Sequence, residues 1–253
     1  MAYQRKFSSL GILAIGLAVT AMPSIARADI VLINGTPLAS FIDLGAQGFG
    51  NAPRMLTLQT NGVETGNVTP VDVANGQAVP GANKSTTPTL GTLGWTTGAQ
   101  VGIGFNSDQS GQTGITMQSL TLTIFNGTTQ VGPTFNLNPK PITFTALDLS
   151  AQQGNGNAVF AFGLTPAQQT AFDAIRAMAG SSGFFAGLSS QLGCPAGAPA
   201  GCLVSNDGPD TYVGFALAGQ PHVVPLPGAL PLFVTGLAGL GLLGWRRKKK
   251  AQV

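Results

Sequence analysis

Ile115-Thr116-Met117-Gln118-Ser119-Leu120-Thr121-Leu122-Thr123-Ile124-Phe125-Asn126-Gly127 is the stretch whose reading decides the fold. Leu120, Leu122 and Ile124 alternate with Thr121 and Thr123, a period of two that sends successive side chains to opposite faces of a strand. Ile115 and Met117 keep the other phase. A change of phase inside one strand calls for an extra residue, so a β-bulge is expected near Gln118-Ser119. Asn126-Gly127 then ends the strand with a hairpin-type turn signal.

Outward from this stretch the same period recurs in short segments over 30–33, 38–44, 55–60, 101–105, 142–147, 159–164 and 212–217, which makes eight expected strands. Runs rich in Gly, Asn, Pro and Thr separate them, as over 75–89. Short strands without alternating helices predict a mainly β protein, an antiparallel β-sandwich or jelly roll rather than a parallel sheet. One helix interrupts the pattern. Thr165 suits an N-cap, Pro166 the first helical position and Gln168 a capping box, after which Ala171, Phe172, Ile175, Met178 and Ala179 recur at helical spacing up to Gly180. An amphipathic stripe of this kind belongs against a core, and the helix is expected to cover an open end of the sandwich.

Composition narrows the class further. The chain has 253 residues, of which 36 are Gly and 17 Pro and only 8% are charged, about a third of the usual share in a soluble domain. The net charge of +3 hides a division by position. Eight of the basic residues lie at the two ends, leaving Arg54, Lys84, Lys140 and Arg176 against all nine acids, so the central part carries 4 − 9 = −5. Such a surface repels phosphates, and no nucleic-acid partner is expected.

The ends are addresses. Arg5 and Lys6 precede an apolar run from Leu10 to Met22, and Ala26-Arg27-Ala28 offers the small residues of a cleavage site, so residues 1–28 form a secretory signal and the mature chain is expected to begin at Asp29. At the other end no residue from Val223 to Trp245 is charged, and Arg246, Arg247, Lys248, Lys249 and Lys250 follow at once. Gly228 to Trp245 would span ~27 Å as a helix, just enough to cross a bilayer core. The basic end fixes the orientation, with the C-terminus cytoplasmic and residues 29–222 outside as a β-rich extracytoplasmic domain.

Val224-Pro225-Leu226-Pro227 before that span, and the Arg/Lys cluster after it, make residues 223–253 resemble the PEP-CTERM sorting signal in its V-P-L-P variant, with Leu226 where Glu is commonest. The resemblance covers the tail alone and implies recognition by exosortase, a transpeptidase-like enzyme of the inner membrane in Gram-negative bacteria that make exopolysaccharide. It further implies a single-pass membrane intermediate that is then sorted to the cell surface or the extracellular space.

An exported chain meets an oxidising compartment, so Cys194 and Cys202, which enclose a pliable Pro/Ala/Gly loop, are expected to pair. Conventional catalytic chemistry is sparse. The one His, His222, stands three residues before the sorting motif, which removes Ser-His-Asp and Cys-His nucleophile systems and His-based zinc sites from the body. No phosphate-binding Gly motif is present, and neither a cofactor nor a catalytic residue is assigned. Asp207 and Asp210 form the closest acidic pair; a capped turn explains them, and Ca²⁺ is the alternative that their hard oxygens would suit. Trp95 and Tyr212 are the two rings with which the body could stack a sugar, against a core role that a lone Trp more often fills. Four Asn-x-Ser/Thr sequences, at Asn34, Asn67, Asn83 and Asn126, read as Asn/Thr-rich turns.

The expected function is that of a non-enzymatic protein of the cell surface or extracellular matrix associated with exopolysaccharide, with a Ca²⁺- or glycan-binding module as the alternative. Two Pro in three residues hold the motif extended and keep it out of the helix behind it. Replacing Pro225 and Pro227 by Ala should therefore leave the protein unprocessed in the inner membrane of its native host, by mass and fractionation, whereas the wild type is processed. Retention of both forms at full length would show a plain anchor.

Overall fold

The computed structural model describes residues 29–37, 52–70, 72–109, 113–150, 158–206 and 208–217. The signal segment, the strand expected over 38–44, His222 and the whole tail lie outside them. The described part is mainly β. Its strands are β1 (Asp29–Pro37), β2 (Arg54–Leu58), β3 (Val63–Thr69), β4 (Val73–Gly76), β5 (Val101–Ser107), β6 (Ile115–Asn126), β7 (Thr129–Leu137), β8 (Ile142–Phe144), β9 (Ala158–Leu164), β10 (Phe185–Gly193) and β11 (Asp210–Ala216). Two α-helices join them, α1 (Ala146–Ser150) and α2 (Pro166–Arg176). Among the described residues no helix is long and apolar enough to cross a membrane.

The strands form one continuous ladder rather than two separate sheets, in the order β2-β11-β5-β9-β1-β7-β6-β10-β3-β4, with β8 attached to β6. Its pairs are antiparallel apart from β1 with β7, which run parallel. The expected mainly β class and predominantly antiparallel pairing hold, while the strands of the expected sandwich or jelly roll lie in a single sheet with one parallel pair. The ladder curls instead. Strands β2 and β3, joined by a few residues, stand near its opposite ends, and a curl is what lets so short a loop connect them. Where the ends meet, Leu58 bridges to Ala78, the Val79 N–H donates to the Thr57 carbonyl at 2.8 Å, and Gly62 bridges to Ser205.

The stretch 115–126 is the long strand β6. Gln191 pairs with Ser119 and Leu192 with Met117, so Gln118 is the extra residue of the expected bulge. Turned aside by the bulge, its amide donates to the Gly193 carbonyl at 2.9 Å. Leu120, Leu122 and Ile124 are fully buried in the curl with Met55, Phe105, Phe135 and Phe162.

Helix α2 covers the interior as expected, with Thr165 as N-cap and Gln168 Oε1 accepting the Thr165 N–H at 3.3 Å. Phe172 meets Trp95 edge-on and Phe135 obliquely, both at 6.2 Å between ring centroids. The Asp173 carboxylate accepts the Gly98 N–H at 2.6 Å, and a Cβ on Gly98 would sit 2.4 Å from Gln169 Cα, so Gly is what lets the helix approach so closely. The helix stops at Arg176, short of the expected Gly180. Ser181 Oγ donates to the Arg176 carbonyl at 2.7 Å and closes the last turn, which leaves Met178 and Ala179 exposed.

Other expectations are corrected by local chemistry. The strand expected over 142–147 ends at Phe144, because Thr145 and Asp148 cap the first turn of α1 with bonds of 2.7 Å and turn Leu147 outward. Strands β3, β4, β7 and β10 were not expected, and Asn67 lies in the middle of β3 rather than in a turn.

Phe172→Ala should cost about 3–5 kcal/mol by opening a cavity under the helix. Met178→Ala should stay within about 0.5 kcal/mol. Denaturant unfolding of the full chain measures both.

Candidate functional site

Two features of the curled sheet carry polar chemistry, one inside and one outside. Inside, β3 brings Glu64 and β11 brings Asp210 to the same fully buried place near the ladder's two ends. Glu64 faces inward because it shares the phase of Gly66 and Val68, and Asp210 because it shares the phase of Tyr212. Glu64 Oε1 accepts the Thr60 N–H at 2.7 Å. Asp210 accepts the Asp108 N–H at 3.1 Å and both of its oxygens take the Gln109 amide, at 3.2 and 3.0 Å. Glu64 Oε2 has no hydrogen bond while both acids are ionised.

Burial pushes the Asp210 carboxyl well above the usual range, and the neighbouring Glu64 charge pushes it further. Burial raises Glu64 as well, but the Thr60 N–H and a hydrogen bond from Asp210 hold it back. Both carboxyls are therefore raised, Asp210 the more strongly, the pattern of two carboxyls too close for both to ionise. Deeper in, Tyr212 is fully buried and its phenol meets Ser190 Oγ at 2.6 Å; burial raises it well above its ordinary value. Ser190 in turn donates to the Ser119 carbonyl at 2.8 Å.

Outside, β7, β6, β10 and β3 are neighbours, and among their residues Glu64 alone is charged and it points inward. Asn67, Ser189, Thr121 and Asn136 stand in register across the four strands. Thr65, Gln191 and Ser119 form a second row. Lateral bonds order these rows, with Thr121 Oγ1 donating to Asn136 Oδ1 at 3.0 Å and the Gln191 amide to Thr65 Oγ1 at 3.1 Å. Phe125 and Phe185, paired in register, follow on the same face and are half-buried.

The residues singled out in the sequence fall as follows. Cys194 and Cys202 are joined in a disulfide with Cα atoms 5.8 Å apart. Asp210 is at the buried pair, while Asp207 lies outside the described residues, so the Ca²⁺ reading of the two is left with one acid turned inward among N–H donors. Among the described residues no group of three or more His, Cys, Asp or Glu could hold a metal ion. Trp95 and Tyr212 are both fully buried, and Trp95 Nε1 donates to the Phe215 carbonyl at 2.6 Å. Neither ring presents a face to a sugar. Ala26, Ala28, Val224 to Pro227 and Arg246 to Lys250 lie outside the described residues. Sequence reasoning missed Glu64, whose one signal is its place in phase with Val68.

Comparison of the chain with protein-family models, with curated proteins and with solved structures finds no match.

The folded values of Glu64 and Asp210 both lie above their ordinary 4.5 and 3.8. A group raised on folding stabilises the fold fully below its ordinary value and loses that contribution as pH rises through the folded one. The unfolding midpoint of the full chain should therefore fall as pH rises from the carboxylate range through neutrality. Asp210→Asn should flatten that dependence; an unchanged slope in the variant would show that the pair does not set it.

Proposed function

We propose that the chain is an exported, non-enzymatic protein of the cell surface or extracellular matrix that associates with exopolysaccharide. On this reading residues 1–28 are removed, and the V-P-L-P motif and basic end take the chain through an exosortase at the inner membrane. The observation that carries the proposal is the charge-free outer face of β7, β6, β10 and β3. A neutral, hydrated polymer is met by hydroxyl and amide side chains without desolvating any charge. The disulfide supports an oxidising destination. The buried acids support a structural role rather than hydrolysis, because glycosidase carboxylates flank a substrate, whereas Glu64 and Asp210 are both fully buried and accept hydrogen bonds from the protein's own backbone and side chains.

Binding without ion pairs has a distinctive salt response. The processed protein, purified from the native envelope, should co-sediment with the host's exopolysaccharide, and raising the salt well past the point where surface charges are screened should leave binding within about twofold. Loss of binding at high salt would point to charge-mediated capture, and no binding at any salt would remove polysaccharide from the function.

A further inference from the structure

The outer face is not uniform. At one end of the hydroxyl and amide rows, Phe125 on β6 pairs with Phe185 on β10, and Thr123 pairs with Gly187. A Cβ built on Gly187 would lie 2.7 Å from Phe125 Cε2 and 3.5 Å from Cδ2. The Phe125 ring therefore rests on the bare backbone of Gly187, where any other residue would push it off. Both phenylalanines keep part of their surface exposed. This is an aromatic patch of two rings with no charged side chain on the strands that carry it.

We propose that Phe125 and Phe185 form a stacking platform for the pyranose rings of a neutral polysaccharide, with the Asn67-Ser189-Thr121-Asn136 row taking the hydroxyls of the residues that follow. The platform rests on the reading of the protein as polysaccharide-associated and names the site and the ligand class within it. The C–H face of a pyranose is weakly positive and meets the negative face of an aromatic ring. A few placed polar groups beside apolar rings are the usual make-up of a sugar site. Strands stand roughly 4.8 Å apart, so the row offers a polar group at each step along a chain laid across them. Charge decides between polymers. An anionic chain would bring carboxylates to four strands that carry no Lys or Arg, on a body whose net charge is −5 by sequence.

Fixing a ring on the surface also has a bland use, since an aromatic side chain can shelter a glycine in a strand. The two roles differ in what their loss does. A sheltering ring changes stability alone, whereas a platform changes retention by a polymer.

The test is affinity electrophoresis of the full-length chain in gels holding the neutral or the acidic fraction of the host's exopolysaccharide, with laminarin as a defined neutral glucan. The wild type should be slowed by the neutral fraction and not by the acidic one. Phe125→Ala and Phe185→Ala should each weaken that retention at least tenfold. Phe125→Tyr and Phe185→Tyr keep the ring and should retain it, which separates the platform from misfolding. Gly187→Ala, which displaces the Phe125 ring without removing it, should weaken retention as well. If the neutral fraction slows the wild type and the Ala variants alike, the platform is wrong while the polysaccharide reading stands. If no fraction slows the wild type, the reading fails and the platform with it. Slowing by the acidic fraction alone, or a change in oligomeric state in place of retention, would also overturn the platform.

Discussion

The bond between the Tyr212 phenol and Ser190 Oγ, at 2.6 Å, ties the second strand of the ladder to the eighth. Strands so far apart in one sheet meet only if the sheet curls until its faces oppose each other. A curl of this kind closes an interior, and the interior then has to satisfy the polar atoms it encloses. Tyr212 does so with Ser190, Asp210 with the Asp108 N–H and the Gln109 amide, and Trp95 with the Phe215 carbonyl. A chain with so few charges has little other electrostatic means of fixing the register of the two halves. Glu64 on β3 and Asp210 on β11 are buried side by side where the ladder's ends approach, and burial raises both carboxyls.

Closure also divides the polar residues by purpose. Those with an inward phase are used up by the fold, and Asp210, the one of the two candidate Ca²⁺ ligands among them, is held by backbone and amide donors. The residues with an outward phase on four adjacent strands are mostly hydroxyls and amides, with two half-buried rings among them. The same alternation that buries Leu120, Leu122 and Ile124 therefore sets Thr121, Thr123 and Phe125 on the opposite face. Helix α2 closes one opening by placing Phe172 between Trp95 and Phe135, so the aromatic surface of the interior is spent on itself.

The β class, the bulge at Gln118, the start of α2 and the disulfide were legible because each depends on a few neighbouring residues. The end of α2 was not, since Ser181 closes it from beyond the apolar stripe. Strands β3 and β10 were missed for a related reason. Val63-Glu64-Thr65-Gly66-Asn67 and Ala186-Gly187-Leu188-Ser189-Ser190 carry Gly, Ser and an acid at inward positions, and these become strand residues only through partners far along the chain. The curl itself is a matter of pairing between distant segments, and local periodicity says nothing of it. Trp95 and Tyr212 looked eligible for sugar because they are the large rings with polar tips, and the interior claims such rings when it can offer their tips a bond. Phe125 and Phe185 have no polar tip, and only the pairing of β6 with β10 and the bare backbone at Gly187 mark them out.

If the outer face meets the partner and the interior is closed, the phenylalanines of the described residues divide into rings that sense a polysaccharide and rings that do not. Ring spectra of full-length protein labelled at phenylalanine, recorded by nuclear magnetic resonance with and without the host's neutral polysaccharide, make that division visible. The account predicts shifts at Phe125 and Phe185, with the fully buried Phe105, Phe135, Phe162 and Phe172 unmoved. Shifts at the buried rings, or polymer binding with Phe125 and Phe185 unmoved, would contradict it.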